Sequence, residues 1–229
     1  MAQNSNTAPG TPDTLVADNV TKRYGQGAPV IDSLNWTFKP GTATGLIGPN
    51  GSGKTTLLRL LSTLAFPTSG EIRYGAINIH AEPYRFLSHV GLVYAEPELP
   101  EQLSAEELLE WILRERGRYS ESSTSHIAGV LETVRLDERR TNLIGTYSSG
   151  MLQKTQVAAA LVASPQVLLM DEPFRGLDTE STEAVFELLQ QFKQDGGLIV
   201  VSSHDRSLID DLCEDLRNME EREPARATQ

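Results

Sequence analysis

Residues Gly48 to Thr56 read GPNGSGKTT, and this run restricts the fold more than any other stretch of the chain. Glycines at 48, 51 and 53 let backbone N–H groups turn inward around a polyphosphate, Lys54 reaches its outer phosphates, and Thr55 offers a hydroxyl to Mg²⁺. Such a loop works between a buried strand and a helix N-terminus, where free N–H groups and the helix dipole meet an anion. Both flanks are present. Thr44 to Ile47 is predicted to be a short buried strand, and Lys54 to Leu64 a helix with Leu57, Leu58, Leu60, Leu61 and Leu64 apolar.

The chain has 229 residues, of which 39% are hydrophobic, enough for a core without disulfide staples. Its one cysteine, Cys213, excludes an internal disulfide, favours a reducing compartment and reads as a small, partly buried apolar residue. No apolar run approaches the roughly 20 residues that cross a bilayer, and the polar first residues lack the pattern of a signal peptide. The expectation is a soluble chain. With 20 basic against 31 acidic residues the net charge is −11, which argues against a nonspecific nucleic-acid binder, because phosphate contacts need Lys and Arg.

Residues 1–13 read as a disordered leader and 217–229 as a flexible charged tail. Between them, Leu15 to Tyr24 and Val30 to Phe38 alternate as half-buried strands around a Gly25-Gln26-Gly27 turn, and Glu71 to Ile79 suggests another strand pair turning near Gly75. Ser104 with Glu107 forms a capping box ahead of a helix carrying Leu108, Leu109, Trp111, Ile112 and Leu113. Ile127, Leu131 and Val134 suggest a second short helix. Val167 to Met170 and Leu198 to Val201 are unbroken apolar strands flanking a helix over Thr179 to Lys193, the signature of a parallel sheet covered on both faces in an α/β fold.

The first of those strands runs into Asp171-Glu172-Pro173. Strand C-termini form the ligand edge of open α/β sheets, and successive residues there project in different directions. Asp171 can therefore join Thr55 around Mg²⁺, a cation that takes one or two protein ligands plus phosphate oxygens, while Glu172 faces an attacking water. Tyr147-Ser148-Ser149-Gly150-Met151 opens a further helix whose N–H groups could grip an anion.

Taken together, these features resemble the nucleotide-binding domain of the ATP-binding cassette (ABC) transporter family, over about Leu15 to Leu212. GPNGSGKTT matches the Walker A motif, VLLMDEP the Walker B motif, Gly176-Leu177-Asp178 the D-loop and Ser203-His204-Asp205 the switch histidine, while YSSGM stands where the family usually has LSGGQ. The resemblance implies one domain over residues 14–216: a P-loop NTPase (RecA-like) core with an antiparallel β-subdomain and an inserted α-helical subdomain at about 97–165. It implies ATP and Mg²⁺ as ligands. Tyr24 would stack on adenine; Gly48, Pro49, Asn50, Gly51, Ser52, Gly53, Lys54, Thr55 and Thr56 would hold the triphosphate; and Ser148, Ser149, Gly150 and Asp178 would complete the nucleotide site. Thr55 and Asp171 would hold the metal, and Lys54, Glu172 and His204 would serve hydrolysis.

Two departures stand out. Where the family commonly has a Gln after the strand Val90 to Tyr94, this chain has Ala95, so either a neighbouring side chain or water supplies the contact or the coupling is altered. Ser149 replaces a Gly and Met151 a Gln. The resemblance further implies a head-to-tail dimer, most simply a homodimer, in which each YSSGM covers the partner's nucleotide. It also implies an integral membrane permease that holds the chain at the cytoplasmic face, an export function marked by YSSGM, and no nucleic-acid partner. An acidic stretch with Glu96, Glu98, Glu101, Glu106, Glu107 and Glu110 is a candidate for docking that permease, or a plain solvated face. A soluble ABC-type ATPase and a sensor that binds ATP without hydrolysis remain as rivals; a P-loop kinase or GTPase leaves YSSGM, the Asp-Glu pair and His204 without roles.

Overall fold

The computed structural model describes residues 13–220. The leader expected over 1–13 lies outside the described residues except for Asp13. In chain order the elements are β1 (Leu15–Lys22), β2 (Ile31–Phe38), β3 (Ala43–Ile47), α1 (Lys54–Leu61), β4 (Ser69–Tyr74), β5 (Ile77–Asn78), α2 (Pro83–Leu87) and β6 (Val90–Val93). They continue with α3 (Ala105–Glu115), α4 (Ser123–Thr133), α5 (Ser149–Leu161), β7 (Val167–Asp171), α6 (Thr179–Gln194), β8 (Leu198–Ser202), α7 (Arg206–Leu212) and β9 (Asp215–Asn218).

Two sheets result. One is antiparallel with strand order β2-β1-β4-β5; the other is parallel, in the order β6-β7-β8-β3-β9. The apolar strands of the parallel sheet have no polar face because both faces are covered. Along β7 and β8, Val167, Leu169, Leu198 and Val200 enter a core shared with α1 and the antiparallel sheet. Leu168, Met170, Ile199 and Val201, pointing the other way, enter a second core with α3 to α7. The two-residue period of a strand thus feeds two layers at once. Helix α1 lies between the sheets with Leu57, Leu60 and Leu61 fully buried.

The capping box forms as expected: the Ser104 hydroxyl accepts from Glu107 N, and the Glu107 carboxylate accepts from Ser104 N. Two boundaries differ from expectation. Helix α1 stops at Leu61 rather than Leu64, because Ser62 turns its hydroxyl back to the Arg59 carbonyl and Thr63 takes a left-handed φ of 62°, leaving Leu64 exposed. The charged tail does not begin at Arg217. Arg217 and Asn218 belong to β9, which pairs with β3 through Gly45 opposite Leu216; residues 221–229 of the expected tail lie outside the described residues.

Candidate functional site

Strand β3 delivers the loop Gly48 to Gly53 to the C-terminal edge of the parallel sheet. Gly48, Gly51 and Gly53 have φ of 142°, 82° and 106°, a region that side chains disfavour. Gly53 is doubly constrained, since a Cβ there would also press on Val30 and Ile31 at 3.2 Å. The N-cap of α1 is this glycine, and no side chain caps the helix. Its first N–H groups are therefore available to an anion.

Lys54 is buried, with its ammonium donating to the carbonyls of Gly48 at 2.7 Å and Pro49 at 3.0 Å. Neither partner carries charge, and among the described residues no carboxylate forms an ion pair with it. A buried cation without a counter-charge is costly. Beside it the Ser52 hydroxyl is buried with no hydrogen-bond partner in the described structure. Uncapped helix, unpaired ammonium and unpartnered hydroxyl together suit a phosphate chain.

The second wall comes from the ends of β7 and β8. Asp171 accepts from the Thr55 hydroxyl at 2.9 Å through Oδ2, and from the Ser202 hydroxyl through Oδ1. Among the described residues no cluster of three or more His, Cys, Asp or Glu could enclose a metal. Thr55 and Asp171 offer a partial set of hard oxygens, which fits Mg²⁺ sharing its shell with phosphates and water.

Glu172 leaves the strand in a left-handed conformation, φ 53°, rare for a residue with a side chain. Its N–H still donates to Ser202 O at 3.0 Å, and its carbonyl accepts from Arg175 N at 3.1 Å and Gln153 Nε2 at 3.4 Å. The turn separates the two carboxylates: Asp171 faces Thr55, whereas Glu172 lies beside His204, with Oε2 accepting His204 N at 3.2 Å and Oε1 3.4 Å from Nε2.

These residues line one cavity of about 630 Å³: Asn50, Gly51, Gly53, Lys54, Thr55 and Thr56 on the loop side, Asp171, Glu172, Arg175 and His204 opposite, and Val30 and Ala95 at its margins. Five expected contributors are elsewhere. Tyr24 stands half-exposed in the β1–β2 connection with the Lys22 ammonium 4.8 Å above its ring, and does not line the cavity. Ser148 caps α5, accepting from Met151 N at 3.3 Å. Gly150 packs on the Gly176 turn, where a Cβ would stand 2.7 Å from the Gly176 carbonyl, and Ser149 faces the same turn. Asp178 caps α6 by accepting from Ser181 N at 2.7 Å, a bond that holds its carboxyl below the usual range. Ser148, Ser149, Gly150 and Asp178 thus do not line the cavity beside this chain's own P-loop.

Ser202, Arg175 and Val30 were not singled out by sequence reasoning. Ser202 carried a faint signal, as the polar end of an otherwise apolar strand. Arg175 and Val30 carried none, because only folding brings them to the cavity.

A parallel sheet that presents a glycine loop, an uncapped helix and an acidic strand end at one edge defines a nucleotide-binding domain of the P-loop NTPase class. The family model described as ABC transporter matches residues 31–175. The linearmycin resistance ATP-binding protein of Bacillus subtilis is 33% identical over 200 residues, 87% of this chain and 64% of that protein. The bacitracin transport ATP-binding protein of Enterococcus faecalis is 32% identical over 90% of this chain and 66% of its own length. The chain therefore spans a little under two thirds of these relatives. A solved ATP-binding subunit of an ABC transporter superposes with a TM-score of 0.84 at 25% identity, covering 89% of this chain and 85% of that one. A dimeric, post-hydrolysis ATP-binding cassette bound to ADP and Pi gives 0.81 at 28% identity, covering 89% and 93%. The chain belongs to the ABC transporter family, and its fold is that of the family's ATP-binding domain.

Proposed function

We propose that this chain binds ATP with Mg²⁺ and hydrolyses it to power a membrane transporter, most simply an exporter. The observation that carries this reading is the convergence of Lys54, Thr55, Asp171, Glu172 and His204 on one cavity. The loop N–H groups and Lys54 bind the phosphates, and Thr55 with Asp171 holds the metal. Mg²⁺, when bound, neutralises charge on the outer phosphate oxygens. Glu172 polarises the attacking water, and His204 orients the Glu172 carboxylate. Tyr24, which lies outside this cavity, would stack on the adenine beyond its edge.

Hydrolysis in this reading requires two copies. Ser148, Ser149, Gly150 and Asp178 do not line the cavity beside their own loop, so a second chain packed head to tail would lend them to the first chain's nucleotide. The dimeric cassette bound to ADP and Pi supports that arrangement, and the resistance and transport roles in the relatives' names support export. Residues 14 to at least 218 would act as one domain, with 97–165 as a helical insert that meets an integral permease at the cytoplasmic face. Among the described residues no helix is long and apolar enough to cross a membrane, so movement of a substrate would fall to that partner.

Steady-state phosphate release tests the reading. Wild-type protein is expected to turn over ATP, and Lys54→Ala to lose both binding and turnover. ATP binding without turnover, with or without the membrane partner, would favour the sensor reading, which the apolar Ala95 in the cavity wall supports.

A further inference from the structure

The cavity holds a second cation that the proposed chemistry has not used. Of the residues lining it, Lys54 and Arg175 are the two permanent cations, and they share the cavity with the carboxylates Asp171 and Glu172. Lys54 reaches the loop side of the cavity, where it also donates to two loop carbonyls. The carboxylates bring two negative charges, and a triphosphate adds more than one ammonium and one divalent cation can offset. Further positive charge at this wall has a clear electrostatic use.

Arg175 is placed there by a specific turn. Glu172 in its left-handed conformation reverses the chain, and the Arg175 N–H closes the reversal on the Glu172 carbonyl at 3.1 Å. The side chain then extends to the segment after β6: Nη1 lies 3.5 Å from the Ala95 carbonyl and 3.9 Å from Glu96 Oε1. These contacts are long, and both side chains are mostly exposed, 62% for Arg175 and 89% for Glu96. A solvent-screened ion pair at that distance holds an arginine weakly. A guanidinium meets phosphate through paired, charge-assisted hydrogen bonds that are shorter and stronger.

We propose that Arg175 recognises the γ-phosphate of bound ATP and, by exchanging its contacts with Ala95 and Glu96 for that phosphate, reports the nucleotide's state to the segment Tyr94 to Glu98. This rests on the nucleotide-binding reading and extends it. It also gives the polar link that Ala95, whose side chain is a methyl group, does not supply. The consequence is a distinction between ATP and ADP, because only ATP carries the phosphate that draws the guanidinium away from Glu96. Release of Glu96 frees the segment that carries Glu98.

The test is equilibrium titration of the full chain with fluorescent ATP and ADP analogues in Mg²⁺, with three variants. Arg175→Ala is expected to weaken ATP binding about tenfold while leaving ADP binding within about twofold, and Arg175→Lys to recover part of the loss. Glu96→Gln, which removes the competing anion, is expected to tighten ATP binding and leave ADP unchanged. Wild-type protein that binds both nucleotides together with an unchanged ATP-to-ADP affinity ratio in Arg175→Ala would overturn this inference alone. A folded wild-type chain that binds neither would overturn the nucleotide reading and this inference with it.

Discussion

Glu172 and His204 contact each other twice: the carboxylate accepts the histidine backbone N–H at 3.2 Å and approaches the imidazole Nε2 at 3.4 Å. The backbone contact survives any substitution of the imidazole, so the two residues are separable by mutation. Glu172→Gln keeps the shape of the side chain and removes the base. Its single-turnover hydrolysis rate is expected to fall by about 10²–10⁴, with ATP affinity preserved and the dimer retained on size exclusion in ATP. A near-wild-type rate would remove Glu172 from catalysis. His204→Ala is expected to slow turnover while leaving the fold intact, since its side chain is 63% exposed.

Gly150 has no room for a side chain. An added Cβ would meet the Gly176 carbonyl at 2.7 Å, and the contact is with backbone, which cannot rotate aside. Gly150→Ala is expected to cost about 1–3 kcal/mol in denaturant unfolding and to displace the start of α5 from the Gly176 turn. If that helix start serves a partner's nucleotide, turnover falls further than stability does. Unchanged unfolding and unchanged turnover together would show that the turn yields freely.

The acidic stretch before and within α3 is less free than its composition suggests. Glu96 faces Arg175, Glu106 pairs with Arg140, Glu107 closes the capping box and Glu110 pairs with Arg114. Glu98 and Glu101 have no such partner among the described residues, so charge-based docking of the proposed permease would fall mainly to them. Glu98→Lys with Glu101→Lys is expected to reduce co-purification of the membrane subunit without altering ATP turnover of the isolated chain. Intact assembly would count against electrostatic docking.

His80 and His89 are both pushed below the ordinary imidazole value by burial. The unfolded chain therefore takes up these protons first, binds more of them at mildly acidic pH, and stability rises with pH. Denaturation midpoints are expected to fall as pH drops below about 6.5, and His80→Gln with His89→Gln to flatten that slope. Glu107 and Asp178, held low by the backbone N–H groups of Ser104 and Ser181, add their losses only further down, as pH falls through the carboxylate range. A pH-independent midpoint between 7.5 and 5.5 would exclude the histidine contribution.

Local chemistry made much of this architecture readable in one dimension. A loop with three glycines at positive φ can be seen in the sequence because few other residues tolerate that region, and the capping box of α3 because its two bonds span three residues. The unbroken apolar runs of β7 and β8 announce a sheet covered on both faces. Element ends were less legible. Leu64 continues the helical pattern of α1, yet Thr63 has already left the helix, and the charges of Arg217 hide a strand that exists only because β3 offers an open edge.

The sequence by itself determined the phosphate-binding loop, the acidic strand end and the family, since each depends on residue types within a few positions of one another. Tertiary structure alone decided which of those residues share a cavity. It brought Ser202 to Asp171 and Arg175 to the cavity, and left Tyr24, Ser148, Ser149, Gly150 and Asp178 outside it. The physical reason is that such placement depends on strand order and on the one left-handed residue, Glu172, that turns the chain between Asp171 and Arg175. Neither property leaves a pattern along the chain.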